Sequence, residues 1–126
     1  MKTLLALAAT LPVLAAVSAA SAQSYNGNWP LTVTNARFID GQYCLTLTGT
    51  GNSGSAQIPG MEIGGFVIVN RQLDVVIPVP LQGQNGALTF TAVAKGGKIG
   101  NGAAVQIEGG EIFDVGSLTV GVKGGC

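Results

Sequence analysis

Leu31-Thr32-Val33-Thr34, Leu45-Thr46-Leu47-Thr48, Leu88-Thr89-Phe90-Thr91 and Leu118-Thr119-Val120-Gly121 are four versions of one tetrapeptide. In an extended chain successive side chains point to opposite faces, so Leu, Val and Phe go to a core and Thr to solvent. β-Branched and aromatic residues suit a pleated, half-buried surface, which makes each tetrapeptide the centre of a strand. The separations between successive copies (14, 43 and 30 residues) are unequal, so the pattern is a recurrent strand solution and not a fixed-period repeat.

Turn signals fill the gaps: Asp40-Gly41, Asn85-Gly86, Lys95-Gly96-Gly97-Lys98 and Glu108-Gly109-Gly110-Glu111. Such pairs reach the positive φ of tight hairpins at little cost, so neighbouring strands pair antiparallel. The reading is an all-β antiparallel meander of about eight short strands, near 29–35, 42–49, 53–58, 64–70, 72–80, 87–94, 98–107 and 115–123. It closes as a small barrel or packs as a compact β-sandwich. Gly100 and Gly102, inside a strand, mark a bulge or a close backbone approach.

Two features bear on closure. Pro78 and Pro80 withhold two ladder donors from the same neighbour, so that side is an edge or the strand ends early. Phe66, Val67, Ile68 and Val69, with Val75, Val76, Ile77 and Leu81, are apolar on both faces, whereas the outside of a solvated barrel alternates with polar residues. A second sheet, a long loop or another copy is expected over that face, which is the candidate association surface.

The chain has 126 residues, 20 of them Gly, and no His. Residues 1–22 read as a cleavable secretory signal: Lys2, an apolar stretch from Leu4 to Val17, then the small residues Ala20-Ser21-Ala22. Residues 23–126 are then one all-β domain with no membrane span, secreted or periplasmic, and no Cys near the cut offers a lipoprotein anchor. In such an oxidising compartment Cys44 and Cys126 are expected to pair. The bridge would sit on the polar face of its strand, with Lys123-Gly124-Gly125 as a strap tied down by its last residue; an intermolecular bond is the alternative.

Six Lys plus Arg balance six Asp plus Glu, which provides no surface for a nucleic acid. The absence of His removes the Ser-His-Asp triad and the commonest neutral metal ligand. A carboxylate pair drawn from Asp40, Glu62, Asp74, Glu108, Glu111 and Asp114 is the remaining catalytic template, and no spacing brings two of them together. Glu108, Glu111 and Asp114 lack the dense acidic alternation of a calcium loop, and Gly96 to Gly102 leads into no helix that would cradle a phosphate. No cofactor or metal is expected, and no enzyme.

Trp29 shares a face with Leu31 and Val33, and Tyr43 with Leu45 and Leu47, so both are core aromatics or the wall of a ligand cavity; Tyr25, ahead of the first strand, is the freest. The like-charged tips, Lys95 with Lys98 and Glu108 with Glu111, are joined by one strand and therefore lie at opposite ends, at most about 33 Å apart at about 3.3 Å per residue. They either protect sheet edges or let copies meet head to tail.

Gly27-Asn28-Trp29, opening the first strand of a secreted meander, resembles the Gly-x-Trp start of calycin barrels, the lipocalin and avidin group. The resemblance implies a barrel whose Trp closes one end and whose interior holds a small ligand. The functional expectation is a non-catalytic structural, surface-attachment or self-association module, acting as a homo-oligomer or on an extracellular partner. The alternative is a calycin-like small-ligand carrier.

Overall fold

The computed structural model describes residues 24–81 and 84–126. The expected signal segment, residues 1–22, lies outside the described residues. Eight strands follow in chain order: β1 (Gly27–Thr34), β2 (Gly41–Thr50), β3 (Ser53–Gln57), β4 (Gly64–Val69), β5 (Gln72–Leu81), β6 (Gln84–Lys95), β7 (Lys98–Glu108) and β8 (Glu111–Val120). Each pairs antiparallel with its neighbours, and β8 returns to β1, so the sheet is a closed up-and-down barrel.

The alternation in the sequence becomes inside and outside. Trp29, Leu31 and Val33 of β1, Leu45 and Leu47 of β2, Phe66 and Ile68 of β4, and Leu73, Val75 and Ile77 of β5 are buried. Leu88, Phe90, Ala92 and Ala94 of β6, with Ala104 and Leu118, complete the filling. An eight-stranded barrel is just wide enough for side chains to fill it, and burying one Leu or Phe stabilises the fold by about 1.5–3 kcal/mol.

The proline pair does not prevent closure. β4 begins at Gly64, and its ladder with β5 reaches no further than the Gly65–Val76 pair. The Val76 carbonyl turns toward β4, where a Cβ on Gly64 would land on its oxygen. Pro78 and Pro80, in the same phase, turn their donor-less nitrogens past the start of β4 while β5 continues to pair with β6 through Leu81 and Gln84. β5 does not end early; instead β4 starts beyond the prolines, which leaves that side of Pro78 and Pro80 without a ladder partner.

The Gly96-Gly97 and Gly109-Gly110 turns have φ between 57° and 82° at all four glycines, as tight hairpins need. Asn85-Gly86 is a correction: both residues lie within β6, opposite Pro80 and Val79, because the ladder with β5 runs past them to Gln84. The connection at 82–83 lies outside the described residues. The bulge expected near Gly100 and Gly102 is present, since the β6–β7 register shifts between Ala92 and Ala94. A Cβ on Gly102 would fall on the Thr91 carbonyl oxygen, whereas one on Gly100 would meet only ordinary contacts with Val93 at 3.7–3.8 Å.

Cys44 and Cys126 form the expected intramolecular disulfide, with Cα atoms 5.9 Å apart. Such a bond is compatible with an extracellular or periplasmic location. The strap is held along its length, not only at its last residue. Gly121 N–H donates to the Pro30 carbonyl at 2.8 Å, Gly124 N–H to the Asn28 carbonyl at 2.7 Å, and the Asn28 side-chain amide to the Cys126 carbonyl at 3.2 Å. The strap thus crosses the outside of β1 and fastens to β2.

Candidate functional site

The alternation of turns assigns every charged loop to one of two rims. The β2–β3, β4–β5 and β6–β7 turns share a rim with the start of β1 and the end of β8; the other connections share the opposite rim. Arg71, Lys95, Lys98 and Lys123 fall on the first. Asp40, Glu62, Glu108, Glu111 and Asp114 fall on the second, with Arg37 as the one cation there among the described residues. Asp74, the third residue of β5, stands on the outer wall close to the basic rim, where its carboxylate accepts from Gln72 and Thr91.

At the basic rim, Trp29 is 2% exposed and its indole N–H donates to the Tyr25 carbonyl at 2.9 Å. Tyr25 is itself buried, and its hydroxyl accepts from the Gly97 N–H at 3.3 Å, tying the chain ahead of β1 to the lysine hairpin. Its expected freedom is therefore corrected: it plugs the barrel end. The Lys123 ammonium lies over the Trp29 ring, 6.0 Å from its centroid. Between the strap and the lysine hairpin opens a half-enclosed pocket of about 520 Å³, walled by Trp29, Ile99, Val120 and Val122 and flanked by Lys98 and Lys123.

The acidic rim is organised by Asp114, which no pattern in the sequence separates from the other acids. Its side chain is 5% exposed. One carboxylate oxygen accepts from Arg37 N–H at 3.0 Å and Val115 N–H at 2.9 Å. The other accepts from Phe38 N–H at 2.7 Å and Ile39 N–H at 3.0 Å. Desolvation alone would push the Asp114 pKa up; the four backbone donors outweigh it and hold the carboxyl below its ordinary value. Asp40 accepts from Ala36 N–H at 2.7 Å, and the Tyr43 hydroxyl donates to the Ile39 carbonyl at 2.7 Å. Burial first, then the nearby Asp40 and Asp114 charges, raise the Tyr43 pKa.

This clamp on the β1–β2 loop displays Phe38, 61% exposed, against Phe113, 47% exposed, with ring centroids 5.1 Å apart and planes within 25°. The Arg37 guanidinium sits 5.5 Å from the Phe38 centroid, and Ile112 alongside is 70% exposed. The two phenylalanines carry no strand-pattern signal in common, and only the fold brings them together. Asp40 and Asp114, the acids the fold also gathers here, are engaged by backbone amides, so neither stands as a free catalytic carboxylate in this structure.

The expected association surface divides along the pleat. Phe66, Ile68, Val75 and Ile77 point into the barrel and are buried, a correction that follows from period-two alternation in a closed sheet. Val67, Val69 and Val76 point outward and are exposed; the side chain of Leu81 lies outside what is described. The cross-strand register extends this row: Val76 faces Thr89, Thr89 faces Val105, and Val105 faces Val115, which is also exposed. No described part of the chain covers these side chains.

No family model, curated protein or solved structure matches this chain. The likeness to calycins therefore rests on Gly27-Asn28-Trp29 and on barrel closure alone.

Proposed function

We propose that the protein is an exported, non-catalytic structural module that associates with copies of itself outside the cytoplasm. The observation that carries this reading is a set of large apolar side chains standing exposed on the outer wall of a barrel whose inward side chains are apolar and buried. Phe90, Leu45, Leu47, Leu73 and Ile77 are among the most completely buried residues. Val67, Val69, Val76, Val115 and Ile112 are exposed. Exposed apolar surface grouped in this way marks a contact site. The disulfide supports a role in an oxidising compartment.

Native mass spectrometry of the oxidised protein, purified from the medium without reductant, tests the reading. An oligomer of bare chains is expected, and Val67→Thr with Val76→Thr should weaken it while retaining strand propensity. A monomer with a constant added mass would replace this reading with the small-ligand carrier. A bare monomer at every concentration would overturn self-association.

A further inference from the structure

We infer that copies join end to end, the Phe38–Phe113 knob and glutamate hairpin of one barrel seating in the Trp29 pocket between Lys98 and Lys123 of the next. This rests on the self-association reading and adds to the valine wall a second contact, at the barrel ends.

Three independent observations converge. The first is charge: four cations with Asp74 close by on one rim face five acids and one cation on the other. Edge protection is the ordinary use of charged hairpin tips, but a closed barrel has no sheet edge for them to protect. The second is shape. The acidic rim carries an exposed aromatic pair and the basic rim a half-enclosed pocket walled by Trp29, Ile99, Val120 and Val122. The third is placement. β8 carries Phe113 and Glu111 near its start and the pocket wall, Val120, at its end, so one strand joins knob and pocket at opposite rims.

The Asp114 clamp adds preorganisation. Three successive N–H groups of the β1–β2 loop are fixed by one carboxylate, so displaying Phe38 needs little further ordering on contact. A buried aromatic anchor ringed by charges is the arrangement that concentrates affinity in an interface. The contact uses different surfaces on the two partners, so it propagates as a ring or a filament and does not stop at a twofold dimer.

The test is sedimentation velocity on the exported, oxidised protein at low and at high salt. Wild type should show species larger than a monomer that grow with concentration and dissociate as salt rises. Phe38→Ser, the pair Lys98→Glu with Lys123→Glu, and the pair Glu108→Lys with Glu111→Lys should each weaken association by at least about tenfold. These side chains lie on the rims outside the core, and unchanged thermal midpoints would show that the variants fold. Mixing the two charge-reversed variants should restore assembly, since each keeps the end the other lacks. If the variants assemble as wild type does, or the folded reversed variants fail to complement, the end-to-end contact is wrong while self-association stands. A wild type that stays monomeric overturns both, and a small anion found bound beside Trp29 would assign the pocket to that occupant instead.

Discussion

Asp114 accepts the Phe38 backbone N–H at 2.7 Å across 76 residues of chain, so an acid near the start of the last strand fixes the loop after the first. Asp114→Asn keeps the shape but turns an amide NH₂ toward N–H groups that need acceptors. The variant should lose several degrees of thermal midpoint and mobilise residues 36–39, seen as amide exchange confined at first to that loop.

The same carboxylate sets a pH dependence. Its folded pKa lies below the unfolded value, so its contribution is fully present above the ordinary carboxylate pKa and is lost as pH falls through the folded one. Thermal midpoints measured from neutral pH down into the acid range should fall more steeply in wild type than in Asp114→Asn. Parallel curves would show that other acids dominate.

Gly102 and Gly100 should respond in opposite ways to the same methyl group. Gly102→Ala places a Cβ on the Thr91 carbonyl oxygen, where backbone must move, and should cost about 2 kcal/mol or more in denaturant unfolding. Gly100→Ala meets only Val93 at ordinary contact distance and should change stability by less than about 0.5 kcal/mol.

Gln106 carries a buried side-chain oxygen with no hydrogen-bond partner, while its amide nitrogen donates to Glu108 at 3.1 Å. Removing an unsatisfied buried acceptor relieves its desolvation cost. Gln106→Met should therefore be neutral or raise stability by up to about 1 kcal/mol, read from the urea midpoint.

Replacing Cys44 and Cys126 together by Ser should cost up to about 4.5 kcal/mol, the loop-closure value for a separation of 82 residues. Because the strap carries Lys123 over Trp29, its release should also change Trp29 fluorescence in the folded state. A variant with unchanged emission would show that the hydrogen bonds to Asn28 and Pro30 hold the strap unaided.

The barrel wall was legible because its cause is local: each Leu-Thr alternation orients its own strand, and paired glycines form two of its hairpins. Closure was less so, since the effect of Pro78 and Pro80 depends on where β4 starts, and nothing near either proline states that. The candidate site was least legible. Asp114 reads as one acid among six until its four amide partners are known, and Phe38 lies in a loop with no periodicity to interpret. Turn composition did show the two charged tips, because like charges flanking Gly-Gly need no tertiary context.

The strap has a topological consequence. With the disulfide formed, residues 44–126 are a covalent ring that holds six complete strands, β3 to β8, and most of β2. Among the described residues β1 is the one complete strand outside that ring, a tongue slipped beneath the strap and held by hydrogen bonds and packing alone. Opening the β1–β8 seam cannot free β8, which stays tethered to β2. β1, by contrast, can withdraw from one barrel and enter another without breaking a covalent bond, so the crosslink that makes the barrel durable also designates the strand through which two barrels can exchange.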